Sequence, residues 1–450
     1  MWGFVGVRQS LRDQNLSGKK PDVIRVRFEP EALLVYLLIG GISTMLRKDF
    51  WKMAALACCL AFALVLAGCD NPTRGNGNGV VNGNGNDNNN NDNNNVHTPI
   101  WSGPHRITAF DAIDWFPNIV FGNGRFFAFG EWDDGHDWGF MVKTSTNGTT
   151  WTDVTNTVFD DFHWVEGITF GGGRFFAFGE WYDENDWGFV KTSTNGTTWN
   201  DVTDDFSDYF TEIYRIVYSG GRFFAFGRYD DGHDWNRVVM TSTNGTTWAK
   251  ATDLDAFDWV QDIVFGNGRF FAFGEWDDGY DWGPMVKTST NGTTWEEETN
   301  LLNNFNNLFG ISFGGGRFFA VGSWEDGNDF GPLVKTSTNG TLWTDVTSNI
   351  ADPDTSFIEY ITFPGGRFYA FGIQGIEDWV NPNFEDMSVL VKSSTDGTNW
   401  VEETFLANNI QMGEGLHVLG VFYGGGRTFI FTFEVDGSWD NMESFVLIKE

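Results

Sequence analysis

Cysteine is nearly missing: the 450 residues contain three, Cys58, Cys59 and Cys69, all near the N-terminus. Everything beyond residue 69 must therefore fold without a disulfide, and no zinc-ligand spacing occurs there. Positive charge is scarce too. Nine of the 28 basic and five of the 61 acidic residues fall within residues 1–69, leaving 19 against 56 beyond it and a net charge of −37. A field of that sign excludes nucleic acid as a partner, because phosphate binding requires the opposite charge, and it repels an anionic lipid surface. Neither a Ser/His/Asp order nor a phosphate-cradling glycine loop is found, and no cofactor is expected.

Long apolar runs are few. Residues 53–67, MAALACCLAFALVLA, follow Arg47, Lys48 and Lys52 in the order of an export signal and are too short for a comfortable membrane span. The run ends in Leu66-Ala67-Gly68-Cys69, which resembles the lipobox of bacterial lipoproteins. That resemblance implies a signal peptide over residues 45–69, loss of Cys58 and Cys59 with it, lipid on Cys69, and a place in the bacterial cell envelope, on a membrane in the periplasm or at the surface. A second apolar run begins at Ala32, ahead of Met45. Residues 1–44 read as a mis-assigned N-terminal extension, the rival reading being a further membrane segment. Residues 70–97 are rich in Gly, Asn and Asp, have almost nothing to bury, and are expected to form a disordered tether.

Residues 98–450 are repetitive. VKTSTNGTTW at Val142 to Trp151 returns almost unchanged at Val190, Val286 and Val334, and more loosely at Val239 and Val391. A second element, GGGRFFAFG, places arginines at 125, 174, 222, 269, 317, 367 and 427, so the seven units are 47 to 60 residues apart. That length suits four short strands and their turns. Within Trp164 to Val202 the β-prone runs GITF, RFFAFGEW, WGFVKTS and TTWNDV are separated by Gly-rich, Asp/Asn-rich and Asn-Gly turns, and are termed strands A to D. Runs A and B are apolar on both faces, as when sheets cover each other on two sides. The predicted fold is all-β, a seven-bladed β-propeller of four-stranded antiparallel blades, expected as a monomer. Unit seven stops at FVLIKE without a D strand, whereas TPIWSGPHRIT (98–108) has a Trp but no A to C strands before it. Trp101 is therefore expected in the fourth strand of the last blade, closing the ring.

STNGTTW, with STDGTNW at Ser394 to Trp400, resembles the Asp-box of the sialidase-type (BNR) repeat, with Asn in place of Asp in five of six copies. The residues themselves explain a C–D turn: Asn-Gly supplies positive φ, hydroxyls bond turn amides, and Trp packs on the sheet. The formal N-glycosylation sequons in these turns are coincidental in a bacterial context.

The A–B and C–D turns share one face and are nearly uniform, while the B–C and D–A connections share the other and vary. There Trp lies beside Asp: Trp132 and Trp138, Trp181 and Trp187, Trp276 and Trp282. Flat rings with carboxylates suit a sugar surface, and equally suit a polar hairpin with a packed anchor. Asp133, Asp134 and Asp137 are the donors a cation would use, but their loop is shorter than a twelve-residue calcium loop and lacks its order, so no metal is expected. At the channel mouth, counting back from the A–B arginines, the candidates for ligand binding are Trp115, Trp164, Trp259, Asn118 and Arg215, with Glu166, Asp262 and Glu359 as carboxylates for catalysis, or else strand-start residues satisfied by water. A sialidase needs arginines from separate blades, and outside the A–B turns residues 98–450 have only Arg106, Arg215, Arg228 and Arg237. The reading is an envelope binding protein for a glycan or protein ligand; a carboxylate-based glycosidase or lyase and a structural envelope protein are the alternatives. Lastly, Lys143 with Asp153, Lys191 with Asp201, Lys287 with Glu297, Lys335 with Asp345 and Lys392 with Glu402 straddle the C–D turns as cross-strand pairs, whereas blade three has Met240 and Lys250 and should carry a basic patch.

Overall fold

Each RFFAFG run is a B strand whose alternate side chains face opposite ways, and both directions are apolar. No single sheet can bury both of its faces, so every blade needs two neighbours. The computed structural model describes residues 101–110, 115–133, 138–180, 188–230, 235–254, 256–277, 282–326, 329–376, 388–409, 417–435 and 442–449. The expectations for residues 1–97 and for Asp134 and Asp137 lie outside these residues. The described residues form seven four-stranded antiparallel sheets arranged as a β-propeller. Blade two is typical: A (Trp164–Gly171), B (Arg174–Glu180), C (Phe189–Ser193) and D (Asn200–Asp201). The A strands of successive blades lie against one another and so surround the axis. Short helical turns in the D–A connections, such as Thr155–Val158 and Thr299–Leu302, were not foreseen.

The core lies between blades, in seven separate clusters. The second Phe of each RFF meets the first Phe of the next blade edge to face: Phe127 with Phe175 at 5.2 Å, Phe176 with Phe223 at 5.1 Å, Phe271 with Phe318 at 5.0 Å. The turn Trp completes each contact, as Trp199 does against Phe127 at 5.7 Å. Blade seven carries Thr428 where the first Phe belongs. There the closing strand Trp101–Arg106 pairs with Met442–Lys449, and the ring of Trp101 stands 6.2 Å from Tyr369. Trp101 is buried, donates from Nε1 to Glu403 at 3.2 Å, and lies 5.1 Å beneath Lys449 Nζ. It is thus the turn Trp of the seventh interface, supplied from the other end of the chain.

The repeated turn is structural. Ser145 Oγ accepts from the backbone N–H of Gly148 at 2.9 Å, and Asn147 Oδ1 accepts from those of Thr149 and Thr150 at 3.0 and 2.8 Å. Asp396 accepts the equivalent pair from Thr398 and Asn399 at 2.8 Å each, so Asn and Asp oxygens do the same job. In blades one to six the A–B arginine spans to its own C strand, Arg125 donating to Thr144 Oγ1 at 3.2 Å. Its stem lies where a Cβ on Gly196, in the next blade's turn, would fall 2.8 Å from Arg125 Cδ.

The C–D register sets Lys143 opposite Asp153, Lys191 opposite Asp201, Lys287 opposite Glu297, Lys335 opposite Asp345, Lys392 opposite Glu402 and Met240 opposite Lys250. The ion pairing differs from expectation. Among the described residues only Lys143 comes within bridging range of its partner, at 3.9 Å. Three of the others turn toward the preceding connection: Lys191 reaches Val158 O at 3.0 Å and Asp161 at 2.7 Å, Lys335 reaches Leu301 O at 3.0 Å and Asn303 O, and Lys287 reaches Asp253 O. Packing of the blades brings the carbonyls of that connection within reach of the ammonium, and those of Val158 and Leu301, in its helical turns, carry partial negative charge. In blade three Met240 fills that place by packing with Phe206 and Phe210. The basic patch expected there is neutralised, because Arg215, Arg228 and Arg237 each have an acidic partner.

Two outcomes follow. Trp101→Ala removes a buried ring and should cost about 3–5 kcal/mol, and deleting residues 98–108 should lower the melting temperature at least as much. Equal melting of wild type and deletion, by circular dichroism, refutes the closure. Hydrogen bonds from two backbone amides hold Asp396 well below the usual carboxylate range, so its stabilisation is present above the unfolded value near 4 and fades below it. Asp396→Asn should therefore lower Tm at pH 7, with the difference shrinking as the pH falls through the acid range.

Candidate functional site

Every A strand slips register once, at one place: between Val165 and Gly167, Ile213 and Arg215, Val260 and Asp262, Leu308 and Gly310, and Ile358 and Tyr360, with equivalent slips in blades one and seven. The extra residue of such a bulge is re-aimed out of the ladder. The glycine of RFFAFG permits it: a Cβ on Gly179 would lie 2.0 Å from Trp164 O, and one on Gly274 1.9 Å from Trp259 O. On the innermost strand the bulged residues are Glu166, Tyr214, Gln261, Phe309 and Glu359, half-buried except for the buried Gln261. They differ from blade to blade while the scaffold around them repeats.

Each bulge meets the start of the next A strand. Tyr214 stacks on Trp259 with centroids 5.4 Å apart and planes 19° apart, and Phe309 contacts Phe357 at 5.4 Å. Gln261 Nε2 donates to Phe309 O at 2.8 Å. Glu166 faces Glu180, Glu212 and Glu131; burial first, and then repulsion from those carboxylates, raises its pKa to about 7. Glu359 is raised to about 7 by burial alone, and burial also pushes Glu275 upward. Arg228 Nε donates to Glu212 at 3.0 Å with a second bond from Nη2, and Arg237 pairs with Asp258.

The residues expected at the mouth divide into three groups. Glu166 and Glu359 are half-buried at the A-strand bulges, and Trp164 and Trp259 are half-buried at the A-strand starts. Arg215 and Asp262 instead form a buried pair at 3.8 Å inside the wall, bridging blades three and four, and Asp262 also accepts from the Ile263 N–H at 2.7 Å. Burial raises the Asp262 carboxyl and lowers Arg215, each effect opposed by the other's charge. Both occupy the column after the bulge, whose side chains point the other way. Asn118 shares that column, half-buried and paired with Phe129. Trp132 and Trp276 are packed anchors: a Cβ on the cross-strand Gly139 would lie 3.0 Å from the Trp132 ring, and one on Gly283 3.2 Å from that of Trp276. Trp282 is 51% exposed at the start of its C strand. The side chains of Trp115, Asp133 and Trp138, and all of Trp181 and Trp187, lie outside the described residues.

Sequence reasoning passed over Tyr214, Gln261 and Phe309. The column eight residues before each arginine, read alone, would have found them.

No protein-family model matches the chain, and no curated protein does. Among solved structures it is similar to the polysaccharide lyase Uly1, with 12% identity over 76% of this chain and 90% of that one and a TM-score of 0.43. It is also similar to the β-propeller domain of the Trilobed protease from Pyrococcus furiosus (7% identity, 73% and 93% covered, TM-score 0.44). For Pyrococcus horikoshii acylaminoacyl peptidase the identity is 9% and the TM-score 0.46, and this chain, 75% covered, spans 52% of that protein. Identities and scores this low carry no inference about activity. What the fold defines is a seven-bladed β-propeller whose inner-strand bulges carry different residues in different blades.

The raised Glu166 makes a signed prediction. A carboxyl whose folded pKa exceeds its unfolded value contributes stability that is fully present below about 4.5 and lost as pH rises through about 7. Glu166→Gln should therefore melt several degrees higher than wild type at pH 8 and level with it at pH 4. A variant that melts lower at pH 8 would show that Glu166 is bonded rather than crowded.

Proposed function

We propose that the protein is a lipid-anchored binding module of the bacterial cell envelope, attached through Cys69, whose channel mouth takes carbohydrate. The observation that carries this reading is the variation among repeats at the inner-strand bulges, where stacked rings stand beside hydrogen-bonding charged groups. Rings offer a flat face to a pyranose, and carboxylates and guanidinium groups suit its hydroxyls. The repeats are read as kin of the sialidase-type Asp-box repeat without the arginines a sialidase requires. The negative field argues against nucleic acid.

A second reading has its own support. Glu166 and Glu359, raised to about 7, are carboxyls able to hold and release a proton near neutrality, as a glycosidase general acid must.

Full-length protein on a glycan array, assayed in parallel with a fluorogenic glycoside panel, separates the readings. Binding without turnover supports the module. Turnover lost in Glu166→Gln or Glu359→Gln supports the enzyme, and silence in both assays leaves a structural envelope protein. Cys69→Ser should move the protein from the membrane to the soluble fraction; retention on the membrane refutes the anchor.

A further inference from the structure

The corner of the mouth between blades three and four differs from the rest in being electrically compensated. Arg228 and Glu212 form one pair, bonded through Nε and Nη2, and Arg237 and Asp258 form another through Nη2, with the guanidinium side chains 37% and 43% exposed and the carboxylates 24% and 26%. Both pairs reach solvent with their charges already balanced. They flank Tyr214, on whose hydroxyl the charges of Arg228, Arg237 and Glu212 all act, and Tyr214 in turn stacks on Trp259. Centroids 5.4 Å apart mean that the two half-buried rings overlap only in part, leaving ring area outside the stack.

This combination selects a ligand class. An anion would have to break an existing pair to gain a guanidinium, at the cost of leaving a carboxylate facing it. A cation would find more negative charge beside Glu166, where Glu180, Glu212 and Glu131 all act on one carboxyl. A neutral sugar disturbs neither pair: its apolar face covers the rings, and its adjacent hydroxyls can donate to carboxylate oxygens and accept from guanidinium N–H groups. We infer that this corner is a subsite for a neutral pyranose, with Tyr214 and Trp259 taking the ring and the Arg228–Glu212 and Arg237–Asp258 pairs taking its hydroxyls. The inference rests on the carbohydrate reading above and narrows it.

The test is calorimetric titration of the full-length protein with cellohexaose, maltohexaose and laminarihexaose, and with hexamers of polygalacturonate and chitosan as charged comparators. At least one neutral hexamer should bind, about tenfold or more weaker in both Trp259→Ala and Arg237→Gln. Arg237→Gln alters a half-exposed side chain and should melt like wild type, so the test holds even if Trp259→Ala fails to fold. Neutral binding indifferent to Arg237→Gln overturns the subsite and leaves the carbohydrate reading standing. Preference for either charged hexamer overturns its neutrality. Silence with every hexamer in a protein that binds on the array overturns the subsite alone; silence on both overturns the reading beneath it.

Discussion

The ring depends on one contact made again at each interface: a phenylalanine from one blade set edge to face against a phenylalanine of the next, as between Phe224 and Phe270 at 5.8 Å or Phe319 and Phe368 at 5.1 Å. Such a pair adds about 0.5–1.5 kcal/mol to the burial of two large rings, and its geometry fixes the angle between sheets. Since no blade has a core of its own, stability is a sum over interfaces, and an open ring would lose one of them and leave two blade faces unmet. That is the physical reason for the closing strand. Trp101 enters an interface where blade seven offers Thr428 instead of a ring, and Lys449 and Glu403 hold its indole in place.

The same repetition isolates the site. Turns, arginines and paired phenylalanines are copied between blades because each must make the same contact with the next. The bulged residue of the A strand escapes that requirement, since it leaves the ladder and faces the axis. In blades one to six a glycine on the B strand makes room for the bulge, whereas blade seven makes the same slip opposite Thr432. Tyr214 and Glu166 are neighbours in the ring, one aromatic and one acidic, on nearly identical backbones.

Charge is handled unevenly around the axis. Blades one to three gather Glu131, Glu166, Glu180 and Glu212, and the crowding is enough to raise Glu166. Blade three adds arginines that balance part of this, while Arg215 and Asp262 tie the inner wall together out of reach of solvent.

Spacing alone was enough for the architecture: arginines 47 to 60 residues apart, a final unit without its D strand, and a lone Trp101 ahead of the first A strand determined the blade number and the closure. The cross-strand register of Lys143 with Asp153 was equally legible, because a hairpin's register follows from the position of its turn. Which partner each lysine holds was decided by the fold, since Leu301 O and Val158 O belong to a different blade connection and come close only when blades pack. The division of the mouth was decided there too. Residues seven and eight positions before an arginine look interchangeable in sequence, yet a bulge turns Glu166 and Tyr214 toward the channel and leaves Arg215 and Asp262 in the wall, because one extra residue in a strand reverses the face of every side chain after it.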